Sequence, residues 1–267
     1  MKSIAFLATA TIAMAGTAFA KIGTPTETPD GGEMFFSLFS QSAGASYQLD
    51  TGILHEDFVT LAPTGGFWRV TLDASNDAAF ASFLEATGSA SDVRYSLMGG
   101  DNSGVTAAAR SLITTVRAGA DVEAITNGNL VNGMLAMTNN YLSGVNSKHP
   151  AGMSSNGSSF FTQAEGSGHY YTGQMDTLGG HFAIGNDNLL GAMAPVHHFT
   201  RSSTASLGNA NDMALSFMYA QKVSADQYEV HFGALPLTSE TPEPSSMVLG
   251  LIGLVACGAL ATRRRAE

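Results

Sequence analysis

The sequence predicts a mainly β, sandwich-like α+β domain with about two packed helices, and a separate apolar helix towards the C-terminus. Three observations predict it. Short stretches alternate apolar and polar side chains, Phe67 to Leu72 and Tyr228 to Phe232 most clearly. Turn-forming clusters such as Pro63-Thr64-Gly65-Gly66 separate these stretches. Two segments of the body carry a helical apolar stripe, and many short strands with few helices close a core as packed layers.

In chain order, residues 21–32 hold Pro25, Pro29 and Gly31-Gly32 and read as a flexible leader to a β-rich domain over residues 33–240. Met34 to Phe39 is an unbroken apolar run, and Tyr47 to Leu49 alternates; both read as strands. In the next strand Trp68, Val70 and Leu72 share a face, so the lone tryptophan reads as a core residue. Ser75 to Thr87 reads as a helix: Ser75 caps it, Asp77 favours its positive start, Phe80, Phe83 and Leu84 share a stripe, and Gly88 ends it. Val93, Tyr95 and Leu97 form a strand that a Gly99-Gly100-Asp101-Asn102 turn closes.

Arg110 to Arg117 reads as a strand through Leu112-Ile113-Thr114-Thr115-Val116. The second helix covers Asn129 to Leu142, with Leu130, Met134, Met137 and Tyr141 on one stripe. Residues 143–200, rich in Gly, Ser, Asn and His, read as short strands between long loops. Leu215 to Tyr219 and Tyr228 to Phe232 complete the body.

Composition narrows the function. Between residues 21 and 240 there are 8 Lys and Arg against 20 Asp and Glu. That excess of negative charge argues against nucleic acid or anionic lipid as a partner. The chain has one cysteine, Cys257, outside the body, so the body contains no disulfide, thiol nucleophile or thiolate metal site.

Candidate metal ligands are histidines and loop carboxylates. His149, His169, His181, His197 and His198 fall within fifty residues, yet none forms an HExxH pair. Asp101 and Asp187 sit in Gly- and Asn-rich loops that offer oxygens to calcium, as does the loop Gly208 to Asp212. None of the loops has the EF-hand pattern, and the same residues make turns unaided. The expectation is therefore no metal and no cofactor, with Asp101, Asp187, His181, His197 and His198 as the residues to inspect and calcium as the ion. No GxSxG elbow, P-loop or strand-linked GxGxxG occurs, and no catalytic residue is assigned.

The two ends are more specific. Met1-Lys2, an apolar stretch from Ile4 to Ala15 and the small-x-small end Ala18-Phe19-Ala20 form a secretory signal. Cleavage is expected after Ala20, with the Sec translocon as a partner. At the other end Pro242-Glu243-Pro244-Ser245-Ser246 precedes an uncharged run from Met247 to Thr262, followed by Arg263-Arg264-Arg265. With the two serines this run spans about 27 Å as a helix, close to the ~30 Å hydrocarbon core of a bilayer. The arginines favour the cytoplasmic side, and the prolines keep the spacer extended.

This tripartite end, residues 241–267, resembles the PEP-CTERM sorting signal of exopolysaccharide-producing Gram-negative bacteria. The resemblance implies recognition by an exosortase in the inner membrane, processing near Pro242, Glu243 and Pro244, and release or attachment at the surface. The sequence thus predicts an exported, non-enzymatic protein of the cell surface or of a biofilm matrix, with extracellular polysaccharide as a candidate partner. Two alternatives stand beside it: a carbohydrate-binding or calcium-dependent adhesive module, and a secreted polysaccharide-active hydrolase.

Overall fold

The computed structural model describes residues 21–26, 32–61, 68–103, 106, 110–148, 157–165 and 185–233. The signal residues Ala18 and Ala20, His149, His169, His181, and the tail residues Pro242, Glu243, Pro244, Arg263, Arg264 and Arg265 lie outside them.

The described strands are β1 (Glu33–Ser40), β2 (Ala45–Leu54), β3 (Trp68–Asp73), β4 (Arg94–Asp101), β5 (Ser111–Thr115), β6 (Ser158–Thr162), β7 (Asn188–Leu189), β8 (Met193–Thr200), β9 (Asn211–Lys222) and β10 (Gln227–Phe232). Among the described residues three α-helices accompany them: α1 (His55–Leu61), α2 (Ala78–Thr87) and α3 (Ala136–Lys148), the last entered through a π-helical stretch, Asn129–Leu135. All the strands belong to one antiparallel sheet in the order β3-β10-β9-β8-β5-β4-β1-β2-β6, with β7 beside β4, curled into a half-barrel. The expected sandwich is replaced by a single sheet with helices on its two faces.

The sequence pattern of each strand reflects its place in that sheet. β1 lies inside the sheet between β2 and β4, and seven of its eight residues are buried. Phe36 and Leu38 point to a core shared with Phe58 of α1 and Phe80 and Phe83 of α2. Phe35 and Phe39 point to an opposite core with Leu130, Met134, Tyr141 and Leu142 of the π/α3 helix. A strand covered on both faces reads as a continuous apolar run, and one covered on a single face alternates. β10 alternates because only Tyr228, Val230 and Phe232 face the core.

Local details depart from the sequence reading in four places. Asp77, not Ser75, caps α2: its Oδ1 accepts from the Phe80 amide at 3.0 Å, whereas Ser75 bonds to Asp73. Gly99 and Gly100 lie inside β4 instead of in a turn, because a Cβ at Gly100 would approach Leu135 Cδ2 to 2.5 Å. Helix α1 was not expected; it is short and carries only Phe58 and His55 as buried residues. In the second helix the π winding shifts the buried stripe from Met137 to Thr138, whose Oγ1 bonds to the Met134 carbonyl.

Part of the leader is docked. Ile22 is fully buried in the core under α3, and its N–H and C=O both pair with the Asn146 side chain. An apolar residue with its backbone polar groups satisfied is worth burying even in a Pro- and Gly-rich segment.

Candidate functional site

Strands β3, β10 and β9, with the start of β8, are covered by the core on one face only; further along β8 Phe199 is buried in the opposite core. Register fixes what the other face presents. Arg69, His231, Tyr219 and Met193 stand opposite one another across the four strands, with Thr71, Glu229 and Gln221 forming the next row. Phe217, paired with Pro195, flanks them on the other side. Phe217 is 52% exposed and Met193 45%. Strands are spaced ~4.8 Å apart, so the rows set apolar and hydrogen-bonding groups side by side on the curved face.

The polar groups of this face are held in place. The Arg69 guanidinium pairs with Glu229, and His231 Nε2 lies 3.3 Å from the second oxygen of the same carboxylate. The Arg69 hydrogen bond lowers the Glu229 pKa most; burial opposes it, and the His231 hydrogen bond and the charges of both partners add to the lowering. The Tyr219 hydroxyl donates to Gln221 Oε1 at 2.7 Å. An apolar strip beside fixed planar donors and acceptors suits a ligand that has both C–H faces and hydroxyls.

The sequence-nominated metal ligands do not converge. Among the described residues no three His, Cys, Asp or Glu side chains form a group fit to hold a metal ion. Asp101 closes β4, where its Oδ1 accepts from the Ser103 amide at 2.8 Å and hydroxyl at 2.6 Å. Asp187 is buried between two cations, with Arg94 Nη1 at 2.6 Å from Oδ2 and Arg117 on Oδ1. It ties the start of β4 to the end of β5 and the approach to β7. His197 Nδ1 lies 2.8 Å from Asp212 Oδ1, and its ring stacks on Phe199.

His198 points to the other side of β8 and meets a partner that no local pattern singles out. Its ring centroid lies 5.5 Å from that of His55, at the start of α1, with the planes at 63°. His55 Nε2 is 3.3 Å from Ser111 Oγ. Burial, and then the His198 ring, pulls the His55 pKa down to about 3; burial also lowers His198, against the opposing charge of Asp212. Burial therefore disfavours the charged form of both imidazoles. His55 and His198 are 143 positions apart in the sequence, and no local spacing signals the pair.

No family model, no curated protein and no solved structure matches this chain.

Proposed function

We propose that this chain is an exported, non-enzymatic protein of the cell surface or exopolysaccharide matrix, delivered through its PEP-CTERM-like tail by an exosortase. In this reading the body is a cohesive or adhesive element that contacts extracellular polysaccharide. The observation that carries it is the open sheet face of Phe217, Met193 and Tyr219 beside the Arg69–Glu229–His231 network. Exposed apolar groups rimmed by ordered polar ones mark contact surfaces. The overall net charge of −10 favours a neutral glycan over an anionic one.

Two measurements test the reading. Cells with and without exosortase are fractionated and the C-terminal mass of the exported protein is taken; the tail is expected to be trimmed only when the enzyme is present. An identical full-length tail in both strains refutes the sorting step. Matrix polysaccharide from the same cells is then sedimented with the protein, and Phe217→Ala with Tyr219→Ala is expected to lower co-sedimentation several-fold. Unchanged co-sedimentation refutes the assignment of the face.

A further inference from the structure

The pair at the joint of α1 and the sheet has features that its structural role leaves unexplained. His55 is 3% exposed, and its buried Nδ1 has no hydrogen-bond partner among the described residues. His198 Nε2 is likewise buried and without a partner among them. A neutral imidazole carries one N–H and one lone pair. Leaving a buried polar atom unsatisfied costs on the order of 1–3 kcal/mol, and here two such atoms belong to neighbouring rings.

We propose that His55 and His198 together ligate one borderline divalent transition ion, Zn²⁺ or Cu²⁺, through their unpartnered ring nitrogens. Imidazole nitrogen suits these ions, whereas calcium takes oxygen ligands. With metal–nitrogen bonds of ~2.0–2.1 Å, two imidazoles on one ion hold their ring centres roughly 5–5.5 Å apart at a bond angle of about 110–120°. The observed centroid separation of 5.5 Å matches the upper end of that range. Ligating histidines have the far ring nitrogen fixed by a second partner, and Ser111 Oγ supplies that for His55.

His198 as a residue is only partly buried, so the pair lies near the surface although both ring nitrogens are covered. The site has two protein ligands among the described residues, so water completes the coordination, and affinity is expected to lie below that of closed structural zinc sites.

The test uses the full chain in mild detergent, stripped of metal with chelator and titrated with Cu²⁺ or Zn²⁺ by calorimetry, with the Cu²⁺ form examined by electron paramagnetic resonance. One equivalent is expected to bind, with nitrogen hyperfine structure from two imidazoles. His198→Ala is expected to weaken binding at least tenfold, while His197→Ala, whose ring pairs with Asp212, leaves it unchanged. His55→Asn is expected to match His198→Ala; should it fail to fold, substoichiometric Cu²⁺ added to the unaltered protein must broaden the His55 and His198 imidazole resonances first. Absence of saturable binding, or one equivalent bound equally well by His198→Ala, overturns the proposal.

Discussion

Asp77 is the residue whose loss should reveal most about what holds the sheet to α2. Its carboxylate is 6% exposed and accepts three hydrogen bonds from three elements: the Phe80 amide of α2 at 3.0 Å, Ser158 Oγ of β6 at 2.8 Å, and the Tyr47 hydroxyl of β2 at 2.7 Å. Tyr47 is fully buried, and burial followed by the Asp77 charge raises its pKa well above the ordinary value, so it stays a donor. Asp77→Ala removes an N-cap worth ~1 kcal/mol. It also strips two buried hydroxyls of a charged acceptor, worth ~1.5–3 kcal/mol each. Water entering the space left by the carboxylate recovers part of this, so the net loss is expected at about 3–5 kcal/mol. That is a large share of a typical total of ~5–15 kcal/mol. Asp77→Asn keeps a good cap and one acceptor oxygen and should cost about 1–2 kcal/mol. Urea unfolding followed by tyrosine fluorescence and far-ultraviolet circular dichroism measures both. A loss below ~1 kcal/mol for Asp77→Ala, or equal losses for the two variants, would refute the view that this carboxylate joins three elements.

Further outcomes follow from the same structure. Burial, reinforced by Glu33, raises the Asp50 carboxyl to about 7 from its usual 3.8. The folded state therefore keeps a proton that the unfolded state releases as pH rises from about 4 to about 7. Stability contributed at low pH is lost over that window at up to ~1.4 kcal/mol per pH unit. Asp50→Asn removes this loss, so its stability advantage over the unaltered protein should grow from pH 4 to 7 and then level off in urea titrations. Gly100→Ala would place a methyl 2.5 Å from Leu135 Cδ2 and 3.0 Å from the Ser111 carbonyl oxygen. Overpacking against backbone should cost ~1–3 kcal/mol, read as a lowered thermal midpoint. Arg94 is 35% exposed and Arg117 52%, while their shared partner Asp187 is 8% exposed. Arg94→Ala should destabilise by ~1–3 kcal/mol, and Arg117→Ala by less than ~1 kcal/mol, in chemical unfolding.

Much of the β architecture was legible because strand burial is written into residue order. The run Met34 to Phe39 reads as a strand and is one covered on both faces, and the alternation of Tyr228, Val230 and Phe232 against Glu229 and His231 reads as a strand and is one with a single core-facing side. The helix ended by Gly88 was found from its apolar stripe, although the cap was assigned two residues early. Asp73 accounts for that difference, since its side chain takes both the Ser75 amide and hydroxyl.

The sequence by itself determined a mainly β body without disulfides and a negative overall charge, because covalent chemistry, formal charge and two-residue periodicity are properties of the chain alone. Tertiary structure alone decided that the strands form one curled sheet, that His198 meets His55 across 143 positions, and that Asp187 lies between Arg94 and Arg117. Strand order and side-chain convergence depend on which distant faces bury each other. That choice minimises the free energy of the whole fold and leaves no local pattern in the residues concerned.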